Sequence, residues 1–218
     1  MTLARITEFS EGPVRGYLHK PEGPAGAGLV LTHGAGGNCR APLLVAIAEA
    51  FSSAGFCVLR CDLPFRQRRP FGPPIPKTAE EDRAALKSAT LALHALGCTN
   101  VFLGGHSYGG RQASILAAED RASSNGLLLL SYPLHPPNKP SQLRTAHFSD
   151  LEAPALFVHG TNDPFGSIAE MTTALRLISA PAKLVLIEGA GHDLARGRFD
   201  INELILTEFR KLTAPKHS

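Results

Sequence analysis

A chain of 218 residues, 44% apolar and 19% charged, has apolar mass for one full core, and two domains would be cramped. Its net charge of +3, with no long basic run and no basic–aromatic interleaving, argues against nucleic acid as a partner, and no stretch approaches the apolar length that spans a bilayer. The opening MTLARITEFSEG lacks the apolar core of a secretory signal, so no membrane partner is expected and the cytoplasm is favoured.

Residues 14–19 read as an early strand, ended by KPEGPAG. GLVLTH at 28–33 is apolar and too short for a helix, as a buried strand should be. Residues 42–54 have helical spacing, with Leu43, Leu44, Ile47 and Phe51 on one side, Pro42 at the first helical position and Gly55 after the end. FCVLRCD at 56–62 predicts the next strand; its alternation puts Cys57 and Cys61 on one face as small core residues. With Cys39 and Cys98 they make four scattered cysteines and no C-x-x-C pair, which disfavours a metal site and suits a reducing compartment. LPFRQRRPFGPPIPK at 63–77 holds five prolines and a glycine, which exclude a regular helix. Thr78-Ala79-Glu80-Glu81 has the form of a capping box opening a helix to about 96. After the turn at 104–110 come a helix at 111–118, a strand at 126–131, a proline-rich loop at 132–140, a strand at 155–159, a helix at 167–178, a strand at 183–188 and an amphipathic helix at 201–212. Apolar strands alternating with helices predict an α/β domain whose parallel sheet is covered on both faces. Loops at the carboxyl ends of such strands build the site, and His33-Gly34, Ser107, Asp163 and His192 fall there.

Those four positions carry chemistry. Gly105-His106-Ser107-Tyr108-Gly109 fits G-x-S-x-G, and its setting of apolar run, tight turn and helix is that of a nucleophile elbow. Glycines two before and two after the serine let strand and helix pass closely. The helix that follows aims its first amide N–H groups at the site, which suits developing negative charge. A serine hydroxyl needs a base titrating near neutrality and a carboxylate to orient that base; His192 and Asp163 follow at the ends of later strands. The order Ser, Asp, His is that of the α/β-hydrolases, not of the other two common serine-hydrolase folds. Asp163 alone, before Pro164, also reads as a turn residue, and Asp150 is the competing acid. Asp193 is expected to face away. For the oxyanion, one donor is expected from the Tyr108 N–H and another from the loop His33-Gly34-Ala35-Gly36-Gly37, with Ala35 first and Gly36 second. That loop lacks the lysine of a P-loop and misses G-x-G-x-x-G, so phosphate cradling is the weaker reading. His33 is expected to hold the loop.

GHSYGGR at 105–111, SYPLHPPNKP at 131–140, LRTAH at 143–147, GTNDPFG at 160–166, HGAGG at 33–37 and GAGHD at 189–193 carry a family resemblance across nearly the whole chain. It resembles the serine α/β-hydrolases, in their dienelactone-hydrolase-like branch. More closely it is similar to a small group that includes a testis-expressed hydrolase-like protein and bacterial predicted hydrolases. The resemblance implies the α/β-hydrolase fold and the triad already assigned. It does not supply a substrate. Dienelactone hydrolases carry cysteine where this chain has Ser107, which sets dienelactone itself aside.

The segment at 131–153 is too short for a large helical lid. The two proline-rich loops are expected to line an open cleft, with His33, Phe65, Arg68, Tyr132, His135 and Phe165 as substrate contacts. Arg66, Arg68, Arg69, His135, Lys139 and Arg144 either make that cleft cationic or are solvated surface charge. The expected activity is hydrolysis of small carboxylic esters or thioesters with short or compact acyl groups through an acyl-enzyme, with no cofactor or metal, by a monomer or homodimer. A non-catalytic binding or scaffold protein is the alternative from another class, and a peptidase a minor one.

Overall fold

A computed structural model describes residues 5–194 and 201–214. Within them the order is β1 (Arg5–Glu11), β2 (Val14–Lys20), β3 (Ala27–Thr32), α1 (Pro42–Ser53), β4 (Phe56–Asp62), α2 (Pro64–Arg68), α3 (Ala79–Ala95), β5 (Asn100–His106), α4 (Tyr108–Glu119), β6 (Leu127–Leu130), β7 (Ala155–Gly160), α5 (Ile168–Leu175), β8 (Ala182–Ile187) and α6 (Asn202–Thr213). All eight strands join one sheet in the order β1-β2-β4-β3-β5-β6-β7-β8. The β1–β2 and β2–β4 pairings are antiparallel and the other five are parallel.

The central strands are buried throughout, so their alternation is not apolar against polar but one apolar face against the other. Leu127 and Leu129 of β6 point into one layer of core, and Leu128 and Leu130 into the opposite one. The first layer packs under α3, α4 and α5, with Leu86, Leu93, Leu116 and Met171; the second packs under α1 and α6, with Ile47, Phe51, Ile205 and Phe209. Phe51 and Phe102 each meet a neighbouring ring edge-on at 5.1 Å, Phe51 against Phe56 and Phe102 against Phe209, a preferred aromatic geometry.

The strand order creates the crevice. From β3 the chain steps to β4 on one side, then crosses back to β5 on the other and continues outward through β6. The loops leaving β3 and β5 therefore diverge at the topological switch point, where open α/β sheets bind ligands.

Three local expectations are corrected. The stretch 64–68 is a short helix, because Pro64 sits in its first turn, where no N–H is missed. Thr78 caps nothing: its backbone is helical and its hydroxyl donates to the Ile75 carbonyl, 2.8 Å away. The capping box lies instead at Ser167 and Glu170, opening α5. The helix after the elbow begins at Tyr108, three residues earlier than its apolar pattern suggested, because Gly109 and Gly110 interrupt that pattern without leaving the helix.

Candidate active site

Ser107 stands between the end of β5 and the first residue of α4. Its backbone sits at φ 51 and ψ −116, a left-handed conformation that costs a non-glycine residue about 1–3 kcal/mol. The turn is held from both sides: Ser107 N donates to Leu130 O at 2.8 Å, and Arg111 N donates to Ser107 O at 2.9 Å. It is possible only with glycines around it. A Cβ on Gly105 would lie 2.8 Å from Gly110 N, and one on Gly109 would lie 2.6 Å from His33 O.

Ser107 Oγ lies 2.8 Å from His192 Nε2, and His192 Nδ1 lies 2.8 Å from Asp163 Oδ2. Asp163 is buried and its other oxygen accepts from Phe165 N at 2.9 Å. An ionised carboxylate only accepts, so it fixes the proton on His192 Nδ1 and leaves Nε2 to take one from Ser107. Three further features fix His192, one at its ring and two along its backbone. The Phe165 ring stacks on it at 4.1 Å and 28°. His106 Nε2 donates to the His192 carbonyl at 2.8 Å; burial pushes the His106 pKa down, so that ring is neutral. The buried Leu194, at φ 51, turns the chain just beyond. A hydroxyl so held can give up its proton as it attacks a carbonyl carbon.

The loop after β3 passes directly against the serine: a Cβ on Gly34 would be 3.4 Å from Ser107 Cβ. His33 locks that loop. It is fully buried, Nδ1 donates to Gly34 O at 2.9 Å and Nε2 accepts from Leu63 N at 3.1 Å. Both ring atoms are used by a neutral imidazole, and burial lowers its pKa accordingly. Arg66 clamps the same loop from the proline-rich side, donating to Ala35 O at 2.6 Å and Gly72 O at 3.0 Å. The N–H groups of Ala35, Gly36 and Tyr108 have no hydrogen-bond acceptor among the described residues; that of Tyr108 is one of the orphan donors of a helix start.

Two cavities, of about 490 and 520 Å³, meet at Ser107. The first lies over Gly34–Gly37, Pro42, Leu43 and Leu44, and the second over Pro73–Ile75, Arg111 and Arg144. Ala35 and Phe165 border both. The other expected contacts are distributed unevenly. His33 is part of the first cavity's wall. Phe65 is buried against the His33 and Tyr108 rings, where it shapes the site from behind. Arg68, Tyr132 and His135 line neither cavity: Arg68 turns out to pair with Glu81, the buried Tyr132 donates its hydroxyl to Arg144 O at 2.6 Å, and the buried His135 donates from Nδ1 to Pro136 O at 2.8 Å. Asp193, expected to face away, borders the first cavity. One supporting residue had no visible signal in its own stretch. Asp82, inside α3, accepts from the Tyr108 hydroxyl at 2.8 Å and from Phe65 N at 3.2 Å, tying the start of α4 to α2 and α3; only its apolar surroundings on a buried helix face could have flagged it.

The alpha/beta hydrolase domain family matches residues 25–203. The chain belongs to that family. The same fold recurs in a dienelactone hydrolase from Anabaena variabilis, 22% identical, with a TM-score of 0.72 over 96% of this chain and 95% of that one. It recurs in Est1E from Butyrivibrio proteoclasticus, 17% identical, with a TM-score of 0.76 over 96% and 99%. A serine hydrolase described as lacking a lid, from Xanthomonas campestris, is 16% identical, with a TM-score of 0.74 over 97% and 95%.

Proposed function

We propose that this α/β-hydrolase is a serine hydrolase of small carboxylic esters or thioesters, with Ser107 as nucleophile, His192 as general base and Asp163 as the orienting acid. The observation that carries the reading is the continuous hydrogen-bond chain from Ser107 through His192 to the buried Asp163, set beside unengaged N–H groups of Tyr108 and Ala35. Ser107 Oγ bonds to the carbonyl carbon while its proton passes to His192 Nε2. The carbonyl oxygen, now anionic, accepts from the Tyr108 N–H and from Ala35 or Gly36. The intermediate collapses, the bond from carbon to the leaving oxygen or sulfur breaks, and that atom leaves with the proton from His192. Water then attacks the acyl-Ser107 ester, gives its proton to His192, and the acid departs as Ser107 recovers its hydrogen.

Short or compact acyl groups suit cavities built from rigid proline-rich and glycine-rich loops. Within the family, SYPLHPPNKP and GTNDPFG favour the small group with the testis-expressed hydrolase-like protein; GTNDPFG supplies both Asp163 and the ring stacked on His192. The four buried free cysteines suit a reducing, cytoplasmic setting.

The test is a fluorophosphonate probe with mapping of the adduct, run beside p-nitrophenyl acetate and butyrate turnover. Label on Ser107 is expected, and Ser107→Ala should lose both label and turnover by orders of magnitude with an unchanged thermal midpoint. A wild-type protein that neither labels nor turns over any ester would make the fold a binding scaffold.

A further inference from the structure

The second cavity beside Ser107 carries a pair of cations that acyl transfer does not use. Arg111 stands one turn into α4, about 6 Å along the axis from Ser107. Its guanidinium lies beside the Tyr132 hydroxyl and close enough to Arg144 for the two charges to interact, in the cavity that Ser107 also lines. Arg144 arrives from the loop between β6 and β7, its Nη1 donating to Pro133 O at 3.2 Å. Both are half-buried and both line this cavity with Ser107, Gln112 and Phe165.

Neither arginine has an acidic partner among the described residues. Among the described residues the nearby carboxylates are already engaged: Glu119 with Arg83, Asp120 with Lys87, Glu81 with Arg68, and Asp82 with the Tyr108 hydroxyl. Among the described residues no aspartate or glutamate lines the cavity. Arg111 Nε is buried without an acceptor. The Arg144 pKa is lowered, first by burial and then by the charge of Arg111, so the two guanidinium groups feel one another. Burial keeps the Tyr132 hydroxyl protonated well above its ordinary range and holds His147 neutral, its pKa lowered to about 4; Asp150, whose charge acts on His147, is not among the residues that line the cavity. Two like charges, partly desolvated, face an empty volume next to a nucleophile. Arginine's planar fork matches oxyacid anions in two-point hydrogen bonds. Among the described residues no arginine or lysine lines the first cavity, so the described walls on the two sides of Ser107 differ in the substrate end they suit.

We propose that Arg111 and Arg144 form an anion subsite, so that the substrate is an ester or thioester bearing a carboxylate or phosphate group on one side of the scissile bond and an apolar group on the other. This rests on Ser107 as the nucleophile, and it replaces Arg68 with Arg111 and Arg144 as the cations that select substrate.

Two ester series read the preference as a ratio of kcat/KM values. With the charge on the acyl side, p-nitrophenyl hemiglutarate is compared with p-nitrophenyl valerate. With the charge on the alcohol side, butyryl esters of 3-hydroxypropanoate and of 2-hydroxyethyl phosphate are compared with butyryl propanol ester, which also separates carboxylate from phosphate. The wild type should favour the charged member by about tenfold or more in at least one series. Arg144→Gln and Arg111→Gln should each collapse that ratio toward one, and Arg111→Lys should retain part of it. A wild-type ratio near one in both series, or a ratio that survives both glutamine variants, overturns the proposal. Failure of the serine-hydrolase reading is separable, because fluorophosphonate labelling and neutral-ester turnover report it without the arginines. In that case titration of glutarate and of 2-hydroxyethyl phosphate, followed by thermal shift, still decides: stabilisation of the wild type that is lost in Arg144→Gln supports the subsite, and none with either anion overturns it.

Discussion

Asp163 does two jobs with two oxygens, and this decides what a conservative change there does. Oδ1 is held by Phe165 N and Oδ2 by His192. In Asp163→Asn the single remaining carbonyl oxygen is claimed by the Phe165 N–H, and the amide NH₂ is turned to His192. A donor facing Nδ1 favours the tautomer protonated at Nε2, which cannot take the Ser107 proton. The expected outcome is a fall in kcat of about 10²–10⁴-fold with KM changed little, read from steady-state kinetics on p-nitrophenyl butyrate; retention within tenfold of wild type would move the acid role elsewhere, Asp150 first. The convergence of Ser107, Asp163 and His192 was legible because each is a reactive residue at the end of an apolar run, and their order along the chain restricts the folds. Arg68, Tyr132 and His135 were not, because proximity to a cleft-forming loop does not say which way a side chain turns. Arg68 finds Glu81 in α3, and Tyr132 folds back on Arg144.

The elbow depends on how closely α4 crosses β3 and β5. Gly109 brings its own backbone against the end of β3, where an added Cβ would meet His33 O and Thr32 Cγ2 at 2.6 Å each. The carbonyl of His33 belongs to the loop that faces Ser107, so it cannot retreat without disturbing the site. Gly36, in that same loop, has nothing within 4 Å of an added Cβ. Gly109→Ala should therefore destabilise by about 1–3 kcal/mol or more through overpacking, while Gly36→Ala should stay within about 0.5 kcal/mol of wild type; urea unfolding of both variants checks this, and equal midpoints would contradict the packing account. Elements with strong patterns were visible in the sequence: β4 was read with its observed bounds, and α1 within a residue. The strand β1 escaped because RITEFSE lies at the sheet edge with most side chains exposed, so no apolar run marks it. The short α2 escaped because its proline reads as a breaker, when at a helix start it is compatible.

Over the whole molecule, the parallel sheet and its two covered faces followed from alternating apolar strands and helices, but its strand order did not, since pairing of β2 with β4 is a long-range choice. That choice buries one histidine, and other parts of the fold place three more where burial lowers their pKa values. His19 of β2 is fully buried and accepts from Arg60 Nε of β4 at 2.8 Å; burial first, and the Arg60 charge second, lower its pKa from 6.5 to about 4. His147, before β7, donates from Nε2 to Ser114 Oγ of α4 at 2.8 Å and is lowered to about 4 by burial first and then by Arg111. His33 and His106 are displaced the same way by burial. A histidine with a depressed native pKa is neutral in the folded chain and charged in the unfolded one between these values, so the unfolded state binds more protons there and stability rises with pH. The contribution is complete above about pH 6.5 and drains away as pH falls toward 4. Asp82, whose pKa burial raises, opposes this, but it is one group against four. The thermal midpoint should be level from pH 7 to 8 and drop steeply between pH 6.5 and 4, on the order of a few kcal/mol in all. The double variant His19→Gln, His147→Gln keeps an acceptor for Arg60 and a donor for Ser114 but cannot titrate, so its midpoint should fall less over the same window. A midpoint that climbs on acidification, or a double variant with the wild-type slope, would show that other groups govern acid stability.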